Sequence, residues 1–428
     1  MGASGDEFVE KFSNAHDNND SKVPRKGTGS SYGAYFNIVC VVAGTGTLGL
    51  PYAMSLGGHI TLVLFVIAAC LAVYTSKLLI ECLYCKPGIR LEEYPDIGEA
   101  AFGKFGRYFV KIFHYIISLS STCIYILLTG LNLHSFLVNY YGDELISLKL
   151  WILISGVIII IPTACLKTLK EIAILAAFGA VATLVVVLCV VILGAMQYYD
   201  PNYVRPDLQV VNWSGLPIAL ATIAFSYGGN VVYPHVEATM RNPKAWNKVM
   251  GLAILSITCM YIVVAVSGYV FYGENVKSPV LDSLQKGPGA LVASILITIH
   301  VILASPIYLC SFCLEQERWL KIDTEFMSPK KEFVYRVLLR SFFGIILTVI
   351  AMYVPYFNDL MALIGAVSNC LIIFLIPVIC HFKLFGFKKR PFYDYILAPL
   401  CIIVGALGLV LGSIDAVSNL IKAFQGNK

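Results

Sequence analysis

The chain has 428 residues, of which 58% are hydrophobic and only 13% charged, and its mean hydropathy is +0.77. A soluble domain carries about 25% charged residues. This composition therefore excludes a water-soluble fold and requires helices that face lipid, each of roughly 20 apolar residues. The formal charge of +5 is small, so the placement of the basic residues carries the information.

Residues 1–33 are polar and rich in Gly, Ser, Asn and Asp, the composition of a disordered tail. No signal peptide is visible, and Met1-Gly2-Ala3-Ser4-Gly5-Asp6 lacks the Ser or Thr that myristoylation needs. Apolar runs long enough to span then appear eleven times. They cover roughly 34–56, 59–82, 107–138, 148–165, 172–198, 214–240, 245–272, 288–314, 333–355, 358–381 and 393–416. The expected architecture is all-α and integral to the membrane, one transmembrane domain over 34–428, with no nucleic-acid partner.

Lys and Arg accumulate on the cytosolic side of membrane proteins. With a cytosolic N-terminus, 22 of the 31 basic residues fall on that side and six on the other. Lys77, Lys111 and Arg340 lie inside spans, where they are expected to reach toward the interface. An odd span count puts the C-terminus on the lumenal or extracellular side. The sequons at Asn212 and Asn19 are weak: one abuts a span and the other sits on the cytosolic tail. Of thirteen cysteines, none falls outside the cytosol and the spans, which argues against a structural disulfide. Cys82/Cys85 and Cys310/Cys313 have CxxC spacing without the further ligands of a zinc site, so packing is the expected role and no metal or cofactor is implied.

The first span contains Gly44-Thr45-Gly46-Thr47-Leu48-Gly49-Leu50-Pro51, poor material for a continuous helix. The sixth contains Ser226-Tyr227-Gly228-Gly229 with Pro234 shortly after. Unwound backbone at membrane depth is tolerated where it lines a cavity or lies buried in protein. The two breaks are five spans apart, so their helices cross in opposite directions, as an inverted five-plus-five repeat with one extra helix requires. The half-helix after the first break presents free N–H groups and a positive dipole end, which suit a carboxylate. Carbonyls at the breaks suit an ammonium group. Gly44, Thr45, Gly46, Thr47, Ser226, Tyr227, Gly228 and Gly229 are therefore candidate ligands of an amino-acid zwitterion. Close helix packing is the competing explanation for the glycines.

Asn37, Gly44-Thr45-Gly46 and Leu50-Pro51-Tyr52-Ala53-Met54, with Phe225-Ser226-Tyr227, Pro234, Glu237, Met240 and Pro243, resemble the amino acid/auxin permease family. The spacing is most similar to its vesicular inhibitory and vacuolar amino acid transporter branch. The resemblance covers nearly the whole chain from about residue 30. It implies the leucine-transporter fold and amino-acid transport driven by protons or sodium. It also places Tyr125 and Ser305 on helices that line the site. Sodium-coupled members carry asparagine where this chain has Cys40, a poor ligand for a hard cation; this favours proton coupling.

Ionisable groups within spans are functional candidates. Glu237 is expected to carry protons or to hold a gate through Arg241 at i+4. His300, near the centre of the eighth span, is a candidate proton carrier. A membrane enzyme finds no motif support. An amino-acid sensor on a transporter fold, or a carrier of auxin-like or other small carboxylates, remains open beside the expected carrier of small neutral amino acids in a vacuolar or vesicular membrane.

Overall fold

The computed structural model describes residues 27–141, 146–165, 173–387 and 390–426. Most of the expected tail, the Asn19 sequon and Lys167, Lys170, Lys388 and Lys389 lie outside the described residues.

Helix α1 (Ser31–Val42) opens on Ser30, whose hydroxyl accepts a hydrogen bond from the Gly33 N–H at 3.0 Å. It starts three residues before the boundary expected for the first span. Helix α2 (Gly46–Gly57) continues the span after a 50° bend. Helix α3 (Thr61–Leu83) is uninterrupted. Helix α4 (Tyr94–Tyr141) begins well before the expected residue 107, because a short amphipathic turn joins it across Gly103, which has a φ of 65°. Then come α5 (Leu148–Cys165) and α6 (Ala173–Tyr198). The sixth apolar run is divided into α7 (Leu216–Ser226) and α8 (Tyr233–Thr239), the latter opened by Pro234. Helices α9 (Trp246–Tyr272), α10 (Pro288–Trp319) and α11 (Pro329–Tyr353) follow. The tenth run is α12 (Phe357–Ile364), a π-helical stretch Gly365–Leu375 and α13 (Ile376–Phe385); α14 (Asp394–Gly426) ends the described chain.

Among the described residues, eight helices are long and apolar enough to cross a membrane, and nine if α1 and α2 count as one bent span. Helices α5 and α7 are apolar but shorter. Phe178, Val181, Leu184, Leu188, Ile192 and Met196 form an exposed apolar stripe along α6 at helical spacing. Water would not tolerate such a stripe; acyl chains do. The protein is an integral membrane protein.

Helices α4, α5, α10 and α11 pack on one another, and α1/α2, α3, α7/α8 and α9 form a second group. Helix α6 lies against α1, α9 and α10; the π-helical stretch lies against α7, α4, α3 and α14. Contacts also sort the connecting segments into two ends. At one, Gly29 pairs with Thr239 and Arg241, Arg90 with Glu237, and Arg318 with Glu93. At the other, Gln209 joins His59 and Glu274, and Tyr356 joins Ala423.

The intramembrane basic residues are held by partners. Arg340 is fully buried, with its Nε 2.7 Å from Glu317 Oε1 and its Nη1 donating to the Thr163 carbonyl at 2.7 Å. It does not snorkel as expected, because Glu317 on α10 and an orphan carbonyl of α5 face it inside the helix group. Lys111 meets Glu315 at 2.7 Å, and Lys77 donates to the Tyr393 hydroxyl at 2.7 Å.

Candidate functional site

Both breaks are backbone interruptions with specific losses of hydrogen bonding. Ala43 still donates to the Val39 carbonyl at 2.8 Å, which closes α1. The N–H groups of Gly44, Thr45 and Gly46 then find no acceptor among the described residues. They are the unsatisfied donors that open α2, and they sit at the positive end of its dipole. Thr45 provides no side-chain cap. At the second break, Gly228 donates back to Phe225 at 2.9 Å, and the next intrachain donor is Val232.

The carbonyl side differs from expectation. The Tyr261 hydroxyl lies 2.7 Å from the carbonyls of Val42 and Ser226, the last residues of α1 and α7. Tyr308 reaches the Val41 carbonyl at 3.4 Å. The Asn369 amide donates to the carbonyls of Ala224 and Phe225, both at 3.3 Å. Side-chain donors therefore cover much of the negative end of each first half-helix, while the N–H groups at the start of α2 stay open.

A cavity of ≈ 20 Å³ lies between the breaks, lined by Thr45, Gly46, Gly228, Tyr125, Tyr308 and Asn369, with Ser121 and apolar residues completing the wall. No charged side chain lines it. The volume suits about one water molecule, so this conformation is closed around the site. Tyr125 and Tyr308 meet edge to face with centroids 5.8 Å apart.

The other expected residues are distributed around this centre. Gly44 stands beside Tyr125: a Cβ on it would come within 2.9 Å of the tyrosine hydroxyl. Gly46 touches the second break directly, since a Cβ there would meet Ser226 Cα at 2.7 Å. Its hydrogen side chain thus serves close packing as well as the opening of the backbone. Ser226 lies behind that contact and donates its hydroxyl to Thr222 at 2.8 Å. Tyr227 turns away, with its hydroxyl 2.9 Å from Thr258 and 3.3 Å from the Phe65 carbonyl, so it ties α7 to α9 and α3. Gly229 packs on Tyr233 and Val42. Thr47 and Ser305 are fully buried off the cavity. Thus Gly44, Thr47, Ser226, Tyr227, Gly229 and Ser305 are not among the residues that line the cavity.

His300 is fully buried, and neither ring nitrogen has a hydrogen-bond partner among the described residues. Its Nε2 lies 3.6 Å from where a Gly44 Cβ would stand, and a Cβ on Gly179 would come within 2.6 Å of its Nδ1 and 2.8 Å of Cys40 Sγ. Glu237 is remote from this centre. Its carboxylate takes a hydrogen bond from Tyr84 at 2.5 Å and faces two nitrogens of Arg90 at 2.8 Å; Arg90 also donates to the Pro234 carbonyl at 2.6 Å. The expected partner Arg241 is not used. Helix α8 ends at Thr239 and Met240 is extended, so Arg241 leaves the helical face and its N–H donates to Gly29 instead.

Asn369, Tyr308, Tyr261 and Ser121 were missed by sequence reasoning. Asn369 carried a usable signal, an uncharged but polar residue inside the apolar run 358–381. The cysteines behave as packing residues: Cys82, Cys310 and Cys313 are buried, and Arg340 donates to Cys310 Sγ at 3.4 Å.

The family model for transmembrane amino acid transporter proteins matches residues 27–418. Amino acid transporter AVT1I of Arabidopsis thaliana is 28% identical, covering 94% of this chain and 99% of the relative. Amino acid transporter AVT1C of the same plant is 30% identical over 92% of this chain and 70% of the relative. The vesicular inhibitory amino acid transporter of Xenopus tropicalis is 26% identical over 93% and 80%. With a match across nearly its whole length, the chain belongs to the transmembrane amino acid transporter family.

Proposed function

We propose that the protein is a secondary active transporter that carries small neutral amino acids by alternating access, with the substrate carboxylate on the N–H groups of Gly44, Thr45 and Gly46. One observation supports this reading: of the three open backbone donors at the start of α2, Thr45 and Gly46 belong to the wall of a cavity that no charged side chain lines. Such a site binds a carboxylate through partial charges that need no counter-ion. A zwitterion brings its own neutralising ammonium, so no charged side chain is called for.

Alternating access is supported by the packing. Number the apolar runs one to eleven and shift each by five. Run five (α6) lies on runs one, seven and eight; run ten lies on six, two and three. The two sets correspond under the shift, as an inverted five-plus-five repeat with an eleventh helix demands. Eleven spans follow if α5 and the α7–α8 pair also cross. Residues 34–428 then form one transport domain. The two-ended grouping of the loops matches the basic-residue count and supports a cytosolic N-terminus and a lumenal C-terminus. Relatives named for vesicular transport favour a vacuolar or vesicular membrane.

Coupling is assigned to protons. Cys40 replaces a hard sodium ligand, and His300 beside Gly44 and Glu237 on α8 are the titratable groups to which we assign the coupling. Uptake into proteoliposomes in sodium-free buffer tests this. Loss of uptake on adding a protonophore is expected; undiminished uptake overturns proton coupling. Binding without flux marks a sensor instead.

A further inference from the structure

The carboxylate side of the site is backbone, but the last carbonyls of α7 are already engaged by side chains. The last carbonyls of α7 are the natural acceptors, yet those of Ala224 and Phe225 receive the Asn369 amide and that of Ser226 faces Tyr261. Two carbonyls at 3.3 Å also fix which end of the Asn369 amide is nitrogen, because an oxygen there would meet only acceptors. Oδ1 is the other end. It has no hydrogen-bond partner among the described residues although Asn369 is only 2% exposed, and Asn369 lines the cavity.

We infer that Asn369 Oδ1 is the acceptor for the substrate's α-ammonium group, which makes Asn369 a specificity-determining residue. The inference rests on the carboxylate placement proposed above. The chemistry is a relay. Nδ2 binds the negative end of α7, and the hydrogen bonds polarise the amide so that Oδ1 presents that charge to the cavity. A buried oxygen with one open side is costly without a donor, and an ammonium supplies three. The backbone fits the role: Asn369 lies within the π-helical stretch Gly365–Leu375, and such wide turns concentrate at functional sites. Gly228 permits the approach, since a Cβ there would come within 2.5 Å of Nδ2. Rejection of carboxylates without an amine follows. An α-hydroxy acid fills the same cradle but offers Oδ1 one weak donor in place of a charged one.

The test uses purified full-length protein and the best ligand from a panel of the common amino acids, paired with its α-hydroxy acid counterpart (lactate where that ligand is alanine). Competition binding gives the preference for the amine over the hydroxyl. Wild type is expected to prefer the amine at least tenfold, and Asn369→Leu to lose most of that preference while hydroxy-acid binding changes little. Asn369→Ser, less disruptive to the end of α7, is expected to behave likewise should the leucine variant not fold. If either folded variant keeps the wild-type preference, Asn369 only positions α7 and the inference is overturned. If wild type binds no amino acid at all, the proposed function fails first and the inference with it.

Discussion

Tyr261 holds Ser226 and Val42 by one hydroxyl, 2.7 Å from each carbonyl. These are the terminal residues of α7 and α1, so a single side chain of α9 joins the two breaks. One proton serves two acceptors, and neither is fully satisfied without it. Tyr261→Phe leaves both carbonyls buried and unpaired, at about 1–3 kcal/mol for a lost partner. The expected result is a lower melting temperature in detergent and weaker amino-acid binding in scintillation proximity measurements, with the protein still folded.

Arg90 and Glu237 form a buried clamp between the α3–α4 connection and α8. Removing one member strands a buried charge, typically at 3–5 kcal/mol. Arg90→Ala is expected to destabilise the protein strongly and abolish uptake. The pair Arg90→Met with Glu237→Gln removes both charges and should recover most of the melting temperature without the transport rate. A double variant no more stable than Arg90→Ala would show that the charge pairing is not what holds this end closed.

The two glycines of the first break are expected to respond differently. A Cβ at Gly44 meets most closely the movable end of Tyr125, whereas one at Gly46 meets the Ser226 backbone. Gly44→Ala should express normally and bind substrate severalfold more weakly, because it displaces the Tyr125 hydroxyl at the cavity wall. Gly46→Val should lower expression or melting temperature as well. Equal expression and equal transport for both would remove the site from this break.

Arg340 and Glu317 lie within the group formed by α4, α5, α10 and α11. Arg340→Ala leaves Glu317 and the Thr163 carbonyl without their shared donor, and a loss of about 3–5 kcal/mol follows from the stranded charge. Any surviving folded protein should show a near-normal substrate KM, because the pair is remote from the cavity. A raised KM at unchanged stability would count against this purely structural role.

Much of the candidate site's backbone was legible in local sequence. Gly44-Thr45-Gly46 and Gly228 cannot continue a helix cheaply, and that intrinsic preference survives in the fold as two breaks. The directions of the Tyr227 and Ser226 side chains were not legible, because a break fixes where backbone opens and leaves open which way each neighbouring side chain turns. The Glu237–Arg241 pairing failed for a related reason: the i+4 rule holds only while the helix lasts, and α8 is seven residues long.

Composition and periodicity by themselves determined that this chain lives in a membrane, where its runs lie, and that the first and sixth are broken, because hydrophobic transfer and backbone strain act over short stretches of chain. Only the tertiary structure decided that Asn369, Tyr308 and Tyr261 close on those breaks and that Arg90 rather than Arg241 holds Glu237. Those pairings join residues between 35 and 267 positions apart. The joint packing of all the helices fixes them, and no local pattern encodes it.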